Sequence, residues 1–234
     1  MNDIFGLALI DYFNDQYTED IKVHSPVLDD DVIPIPYLFR SYDDMPALEQ
    51  LALDRASGSI LDVGCCAGSH SLYLQEKGLE VTGIDQSEGA IQVSQKRGLK
   101  QVKAISFLEH HHTYDTILLL MNGTGIFENT AQLPKYLHHL KSLMRPGGQV
   151  LIDSSDLRYL YENEDGDFCV DASKPYYGEI QYHLSYKGEQ GAVFDWLYLD
   201  FDTLNSYAQA AGLQCLLLDQ DEHYGYLARL IVAE

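Results

Sequence analysis

The stretch that decides the fold reads Ser59-Ile60-Leu61-Asp62-Val63-Gly64-Cys65-Cys66-Ala67-Gly68-Ser69-His70. It predicts a strand, a loop with two glycines and the start of a helix. Gly64 and Gly68 suit positions with a positive φ, or positions where a side chain would block the approach of another group. The helix after Gly68 would direct its unpaired N–H groups and the positive end of its dipole at the same place. The stretch therefore predicts a site where a polar or anionic group meets the backbone.

Two classes of nucleotide cofactor fit such a loop, and the spacing of the glycines separates them. Dinucleotide sites use the pattern G-x-G-x-x-G, but Cys66 and Ser69 occupy its second and third glycine positions. The pattern (D/E)-x-G-x-G-x-G fits at Asp62, Gly64 and Gly68 and departs only at Cys66. The stretch thus resembles the glycine-rich motif of class I S-adenosylmethionine-dependent methyltransferases. A generic strand-to-helix turn of another α/β protein is the alternative.

Cys66 is the one departure from that motif. If its backbone needs a positive φ, a cysteine there stores about 1–3 kcal/mol of strain. A small side chain can instead be accommodated. A role as a methyl-carrying nucleophile is disfavoured inside the cofactor loop.

Length and charge limit the fold classes and the kinds of partner that the chain can have. With 234 residues, the chain is long enough for one α/β domain with a substantial core. Its formal net charge is −21 and no stretch gathers lysines and arginines, so we expect no nucleic-acid partner. No apolar run reaches the length of a membrane span and no secretory signal is visible, so we expect no membrane partner. Four cysteines without a disulfide-like spacing favour reduced thiols and a cytoplasmic location.

A carboxylate is predicted at the end of the second strand. Residues 80–84 form this strand and lead to Asp85, and Ser87 can cap the helix that follows. Because two carboxylate oxygens accept two donors at once, Asp85 can bind both hydroxyls of a ribose. Helix capping is the alternative for Asp85 alone, and its position after the Asp62 loop favours the ribose.

Two more strands are predicted to bring residues to the same site. Residues 101–105 form the third strand, and the resemblance implies that Ser106 and Phe107 flank the adenine ring. The apolar run 114–121 is typical of a central parallel strand. It leads to Asn122, near the transferring methyl, the amino group of the cofactor or the acceptor. The cofactor-binding residues that the resemblance implies are Asp62, Gly64, Cys65, Cys66, Gly68, Asp85, Gln86, Ser106, Phe107 and Asn122.

The later chain follows the order of elements in this family. An amphipathic helix over 130–144 ends at Arg145-Pro146-Gly147-Gly148, and a fifth strand over 149–152 leads to Asp153. Strands 213–218 and 226–232 are too close in sequence for a parallel crossover, so they must be antiparallel. The predicted fold is α/β: a Rossmann-like, seven-stranded, mostly parallel sheet with helices on both faces and an antiparallel C-terminal hairpin.

Two segments add to this domain, which spans 45–234. Residues 1–44, a helix over 4–17 and then irregular extended chain, form a predicted lid in which Arg40 would grip the methionine carboxylate. An antiparallel hairpin at about 157–200 is inserted in the domain, and its many aromatics would line an acceptor pocket or a homodimer interface. We expect no metal at His110-His111-His112. The predicted substrate-pocket residues are Arg40, Asp153, Tyr159, Tyr176 and His223.

The resemblance implies methyl transfer by in-line displacement, in which an acceptor lone pair attacks the methyl of S-adenosylmethionine and leaves S-adenosylhomocysteine. The protein would supply proximity, alignment and water exclusion, and a base only where the acceptor loses a proton. We expect a small-molecule acceptor and name no catalytic residue. A non-catalytic binding protein for the same cofactor is one alternative. An oxidoreductase with a nucleotide cofactor is the other, which Asp62 and the missing glycines oppose.

Overall fold

The computed structural model describes residues 3–161 and 175–233 of the chain. Its helices are α1 (Ile4–Phe13), α2 (Ala47–Arg55), α3 (Ser69–Glu76), α4 (Glu88–Lys96), α5 (Leu133–Leu143) and α6 (Phe201–Ala210). Its strands are β1 (Ile21–His24), β2 (Asp31–Ile33), β3 (Ser59–Val63), β4 (Glu80–Asp85), β5 (Val102–Ala104), β6 (Tyr114–Leu119), β7 (Met144–Ser155), β8 (Glu179–Tyr186), β9 (Glu189–Gln190), β10 (Phe194–Leu197), β11 (Leu213–Gln220) and β12 (Gly225–Val232).

Seven strands form the central sheet, in the order β11-β12-β7-β6-β3-β4-β5. The five strands from β3 to β7 pair in parallel, as strands joined by helical crossovers do. β12 pairs antiparallel with both β7 and β11. This topology confirms the predicted mostly parallel sheet with an antiparallel C-terminal hairpin.

Helices cover both faces of the central sheet and bury its apolar side chains. α5 and α6 pack on one face, where Leu137, Leu140 and Leu204 are fully buried. α2 and α3 pack on the other face, where Leu53 and Leu74 are buried. Each such leucine contributes roughly 1.5–3 kcal/mol of burial free energy. The sheet is therefore well stabilised and fixes the positions of the loops at its edges.

A second, smaller sheet joins the N-terminal segment to the inserted segment. Its order is β10-β8-β1-β2, with β9 also on β8, and β8 and β10 form the antiparallel pair that the alternating sequence predicts. The expectation of irregular chain after α1 is wrong, because β1 pairs with β2 and also with β8, where Lys22 lies opposite Ser185. β1 and β2 are only four and three residues long, too short for their alternation to give a strand signal, and the edge of β8 supplies a pairing partner for β1.

The carboxyl ends of the parallel strands meet at one edge of the central sheet, and the small sheet lies over that edge. The loops after β3, β4 and β6 all begin there, where open α/β sheets bind their ligands. Trp196 of β10 packs on the turn after β6, and its ring fills the space beside Gly125. The small sheet therefore covers the loops that follow β3, β4 and β6.

Replacing Gly125 should weaken the packing of the small sheet on the turn after β6. A Cβ atom at Gly125 would lie 2.0 Å from Trp196 Cε2, so Gly125→Ala must displace the indole and should lower the free energy of unfolding by about 1–3 kcal/mol. Trp196 is the single tryptophan, so its emission should shift to longer wavelength. At Gly191 a Cβ would come no closer than 3.3 Å to Ile4, and Gly191→Ala is the matched control. Unchanged emission and stability in Gly125→Ala would contradict the packing described.

Candidate functional site

The loop after β3 encloses one end of a cavity. Gly64 and Gly68 have φ values of 75° and 87°, as the motif predicts, and Cys66 between them has a φ of 51°. A cysteine in this left-handed region stores about 1–3 kcal/mol of strain. The loop is fixed by the N–H groups of Gly64 and Cys65, which donate to the Ile84 carbonyl at 2.8 and 3.0 Å.

The Cys66 thiol lines the cavity but is not activated. Burial, with the charge of Asp85, raises the pKa of this thiol. Since the thiolate is the nucleophilic form, Cys66 stays protonated and unreactive at neutral pH. Cys66 therefore contributes to the shape of the loop and of the cavity wall.

Asp62 lies behind the loop rather than in the cavity. It is 2% exposed and accepts a 2.6 Å hydrogen bond from the Ser71 hydroxyl in the first turn of α3. Burial raises the pKa of this carboxyl, although the charge of His70 and the bond from Ser71 lower it. Asp62 thus fixes the start of α3 against β3.

Asp85 ends β4 with both oxygens bonded to the neighbouring loops. Oδ2 accepts the N–H of Cys66 and Oδ1 accepts the N–H of Ser87, both at 2.9 Å. Burial raises the pKa of Asp85, while these two N–H groups lower it. Each carboxylate oxygen keeps a second acceptor site, so Asp85 can accept two more donors from a pair of neighbouring hydroxyls.

The turn after β6 is strained and is held by Asp153. Met121 and Asn122 have φ values of 66° and 61°, which costs about 1–3 kcal/mol at each residue. Asp153, at the end of the neighbouring β7, accepts the N–H groups of Met121 at 3.1 Å and Gly123 at 2.9 Å. Backbone strain of this kind clusters at binding sites, where surrounding contacts sustain it.

This turn brings the Asn122 amide to the cavity. Its Oδ1 lies 3.2 Å from the Ser154 hydroxyl, which also accepts the N–H of Leu199. Its Nδ2 is buried and has no hydrogen-bond partner in the described part of the chain. An unpaired buried donor costs roughly 1–3 kcal/mol, so a ligand that brings an acceptor would stabilise this site.

The loops enclose a cavity of about 400 Å³. Asp85, Cys66 and Asn122 are among its polar lining. Its apolar lining includes Phe5, Leu38, Ile105, Phe107, Ile126 and Trp196. A largely apolar cavity with a few polar groups is typical of a small-molecule site.

A buried charged group closes one end of the cavity. The Arg40 guanidinium donates to Glu49 Oε2, and His70 Nε2 lies 2.6 Å from the same oxygen. Burial would raise the pKa of Glu49, but His70 and Arg40 together hold it below its usual value. Arg40 also donates to the Tyr37 carbonyl, and its Nε has no partner within the described residues.

The other predicted cofactor residues divide between the lining of the cavity and positions outside it, among them Gly68. Gly64 and Cys65 line it together with the exposed Gln86. Ser106 lies just before the 3-10 helix Phe107–Glu109 and is not part of the lining, whereas Phe107 is.

Of the five predicted substrate-pocket residues, only Arg40 lines the cavity, and Asp153, Tyr159, Tyr176 and His223 do not. Tyr159 stacks on Tyr224 with ring centroids 5.4 Å apart. Tyr176 donates a 2.6 Å hydrogen bond to the N-cap carboxylate of α6, and His223 is exposed in the turn between β11 and β12. Phe168, one of the aromatics predicted for the acceptor pocket, lies outside the described residues.

Sequence reasoning missed several residues that shape the cavity. Glu49 and His70 look like ordinary residues of helices, and only the fold brings them to Arg40. Phe5 lies on α1, which has no motif. Trp196 had a weak signal, since it is the single tryptophan of the chain and lies on an inserted strand.

A larger depression of about 810 Å³ lies at the opposite edge of the central sheet. Gly147, Gly148 and Arg229 line it near the start of β7. Parallel sheets bind ligands at the carboxyl ends of their strands. The smaller cavity at the carboxyl edge is therefore the candidate site.

The buried acids predict greatest stability below neutral pH. Burial raises the pKa of Asp62 and of Asp85, and raises that of Asp153 to about 6. Such an acid stabilises the fold fully at pH values below 3.8, the pKa of the same carboxyl in the unfolded chain. This contribution is lost as the pH rises through the pKa in the folded protein. Glu49 and Asp200 have lowered pKa values, so they stabilise the fold above their unfolded pKa values and lose this effect on acidification.

We therefore expect the Tm of the ligand-free protein to rise between pH 8 and roughly pH 5 and to fall below about pH 4. The net charge of −21 adds to the rise, because protonation relieves repulsion. Scanning calorimetry across this range measures the effect, and Asp153→Asn should reduce its steepness between about pH 5 and 7. A Tm that is higher at pH 8 than at pH 5.5 would contradict the assignment.

Comparison with known proteins places the chain in a family. It matches the family model described as a methyltransferase domain over residues 37–218. It is 32% identical over 117 residues to a tRNA U34 carboxymethyltransferase of Idiomarina loihiensis, covering 44% of this chain and 34% of that protein. It is 26% identical over 149 residues to a malonyl-[acyl-carrier protein] O-methyltransferase of Serratia marcescens, covering 58% of each. The chain thus spans less than two thirds of the length of either curated relative.

One solved structure resembles nearly the whole chain. A SAM-dependent methyltransferase from Bacteroides fragilis, in complex with S-adenosyl-L-homocysteine, is 44% identical with a TM-score of 0.93, covering 99% of this chain and 95% of that chain. The CcbJ methyltransferase from Streptomyces caelestis has a TM-score of 0.62 at 15% identity, covering 83% of this chain and 99% of that chain, and supports the fold alone. On the extent of the family match and of the Bacteroides fragilis likeness, the chain belongs to the S-adenosylmethionine-dependent methyltransferases with the class I fold.

Proposed function

We propose that this enzyme binds S-adenosylmethionine in the cavity of about 400 Å³ and transfers its methyl group to a small-molecule acceptor. The observation that carries the placement is Asp85, which ends β4 at the cavity with an acceptor site left on each oxygen. The ribose hydroxyls would bind there. The adenine ring would lie among Ile105, Phe107 and Ile126.

The residues at the other end fit the methionine part of the cofactor. Asn122 Nδ2 and Arg40 Nε are buried donors without partners in the described residues, and both side chains line the cavity. A carboxylate accepts from such donors more strongly than a neutral group does. Arg40 and Asn122 would therefore hold the methionine carboxylate, at the end away from Asp85.

The chain's own contribution is binding, alignment and the exclusion of water. S-adenosylmethionine supplies a methyl group that its sulfonium charge already activates. Phe5, Leu38 and Trp196 cover the cavity with apolar surface, and the strained Met121–Asn122 turn fixes the wall on the acceptor side. Holding two reactants in line lowers a barrier by up to about 7–11 kcal/mol, which is the main rate effect we assign to this protein.

Charge favours a small molecule over RNA as the acceptor. The curated relatives include one named for tRNA and one named for an acyl-carrier protein, so the family alone does not decide. The net charge of −21 would repel a phosphate backbone on approach. We therefore infer a small-molecule acceptor.

Calorimetric titration with S-adenosylmethionine, S-adenosylhomocysteine and NADH tests the cofactor. We expect both adenosyl ligands to bind with Kd values on the order of micromolar and NADH not to bind. Because Trp196 lines the cavity, its fluorescence should change on addition of either adenosyl ligand. Binding of NADH alone, or of none of the three, would overturn the proposal.

Location and assembly remain inferences from the sequence. Within residues 3–161 and 175–233, no helix is both long and apolar enough to cross a bilayer. Cys65, Cys66 and Cys215 carry free thiols, which are typical of a reducing compartment, and we infer the cytoplasm. A homodimer stays a prediction.

A further inference from the structure

A carboxylate without a cationic partner stands beside the wall of the cofactor cavity. Asp153 lies two residues before the end of β7 and outside the lining of the cavity, and its oxygens accept the N–H groups of Met121 and Gly123, which line it, at 3.1 and 2.9 Å. Among the described residues, no lysine, arginine or histidine forms an ion pair with it. Each oxygen keeps a second acceptor site, so Asp153 can bind a cation at the end of the cavity we assign to the methionine part.

Three cations at this edge already have carboxylate partners, whereas Arg97, beside the loop after β3, donates to the Ala67 carbonyl at 2.7 Å. Arg40 and His70 share the Glu49 carboxylate, and Arg158 pairs with Asp156 at 3.3 Å. An anionic acceptor would find no unpaired charge on these three side chains. A cationic acceptor would meet the complementary charge of Asp153, and such complementarity speeds and orients binding.

Tyr37 and Met121 form an exposed apolar border next to Asp153. They are 38% and 36% exposed. Burial raises the pKa of Tyr37 and the charge of Asp153 adds to the rise, while Arg40 lowers it. The Arg40 guanidinium lies 3.9 Å from the centroid of the Tyr37 ring and covers one face of it, so a further cation within about 6 Å would meet the opposite face.

Four more tyrosines lie on other segments, outside the lining of the cavity. Tyr224 immediately precedes β12, the strand paired with β7, and Tyr159 stacks on it with centroids 5.4 Å apart. The hydroxyls of Tyr182 and Tyr198 lie 3.2 Å apart, and burial is the main cause of the raised pKa of both phenols. The tyrosine rim is defined as Tyr37, Tyr159, Tyr182, Tyr198 and Tyr224.

We propose that the acceptor is an amine, which Asp153 and the tyrosine rim bind in its ammonium form. The inference rests on the proposed function, since it takes S-adenosylmethionine as the methyl donor. One ammonium proton passes to an Asp153 oxygen, and the nitrogen lone pair that it leaves forms the new C–N bond. The C–S bond of the sulfonium breaks, and its electron pair stays on sulfur. The products are an N-methylated ammonium, S-adenosylhomocysteine and a protonated Asp153.

The environment of Asp153 suits this role. Burial raises its pKa to about 6, which makes it a better proton acceptor than an exposed carboxylate. At neutral pH it is still ionised and can attract the ammonium. The same carboxylate therefore serves first as the anchor and then as the base.

Three probes with one apolar body test the acceptor class: 3-phenylpropylamine, 3-phenylpropanoate and 3-phenylpropanol. Each is titrated into the full chain saturated with S-adenosylhomocysteine, and methyl transfer is measured with radiolabelled S-adenosylmethionine. We expect the amine to bind about tenfold more tightly than the other two and to be the one that is methylated. Asp153→Asn should remove this preference. Asp195→Asn should keep it, because Asp195 bonds Gln181 and Asn129 away from the cavity.

Three results would overturn the inference: equal or tighter binding of the carboxylate or alcohol, an amine preference that survives in Asp153→Asn, or no binding of any probe to the loaded enzyme. If Asp153→Asn also weakens S-adenosylhomocysteine binding, Asp153→Glu decides, because restoring the charge must restore the amine preference. A wild-type protein that fails to bind S-adenosylhomocysteine would instead overturn the proposed function.

Discussion

Asp85→Ala should abolish tight binding of S-adenosylhomocysteine. Hydrogen bonds to a charged acceptor contribute roughly 1.5–3 kcal/mol each, and two are lost, so Kd should rise by about 100-fold or more. The variant also releases the N–H groups of Cys66 and Ser87, which Asp85 holds at 2.9 Å. Calorimetric titration of both proteins with the same ligand gives the ratio of the two Kd values.

Asp115→Ala is the matched control for this variant. Asp115 accepts the N–H and the hydroxyl of Ser59 at 2.8 and 2.7 Å and a third hydrogen bond from Arg145 at 2.9 Å. It is thus also a hydrogen-bonded carboxylate, but it lies at the amino end of the parallel strands. We expect its Kd to stay within about twofold of the wild type. Asp85→Asn keeps one acceptor oxygen, so its Kd should fall between those of the wild type and Asp85→Ala. A folded Asp85→Ala protein that binds as tightly as the wild type would remove Asp85 from the site.

Glu49→Ala should lower the free energy of unfolding by about 3–5 kcal/mol. Arg40, Glu49 and His70 are each 8% exposed or less. Removing the carboxylate leaves the Arg40 guanidinium buried without a counter-charge. Since whole domains are stable by only about 5–15 kcal/mol, this loss is a large share of the total. Urea unfolding measures it, and an unchanged m value would show that the variant changes stability and not the surface exposed on unfolding.

A double variant separates lost charge balance from lost packing. Replacing a buried ion pair by apolar side chains of similar volume is often neutral or stabilising, so Arg40→Met with Glu49→Met should recover most of the stability that Glu49→Ala loses. If the double variant is as unstable as the single one, the uncompensated guanidinium is not the cause.

The central sheet could be predicted because its signals are local. The glycines of the loop 64–68, Asp85 after a short apolar strand and the close spacing of the last two strands each constrain the chain within a few residues. Steric rules then fix the crossovers and the antiparallel closure. The positive φ at Cys66 follows from the same motif, since the family has glycine where this chain has cysteine.

The small sheet and the charged group could not be predicted, because both depend on partners distant in sequence. β1 is a four-residue strand that pairs with β2 and with β8, which follows it by more than 150 residues. Glu49 and His70 lie 21 positions apart on different helices, and the sequence around either residue does not predict their contact. Of the five predicted substrate-pocket residues, only Arg40 lines the cavity. Asp153, Tyr159, Tyr176 and His223 do not, because a position near the end of a strand or in an aromatic insert does not determine which way a side chain faces.

The most direct test of the account is a crystal structure of the protein with S-adenosylhomocysteine. We predict that both Asp85 oxygens lie about 2.6–3.2 Å from the ribose hydroxyls, with the adenine beside Phe107 and the Asn122 amide bonded to the methionine part. A ligand bound in the depression at Gly147 and Arg229, or one whose ribose makes no contact with Asp85, would contradict the account.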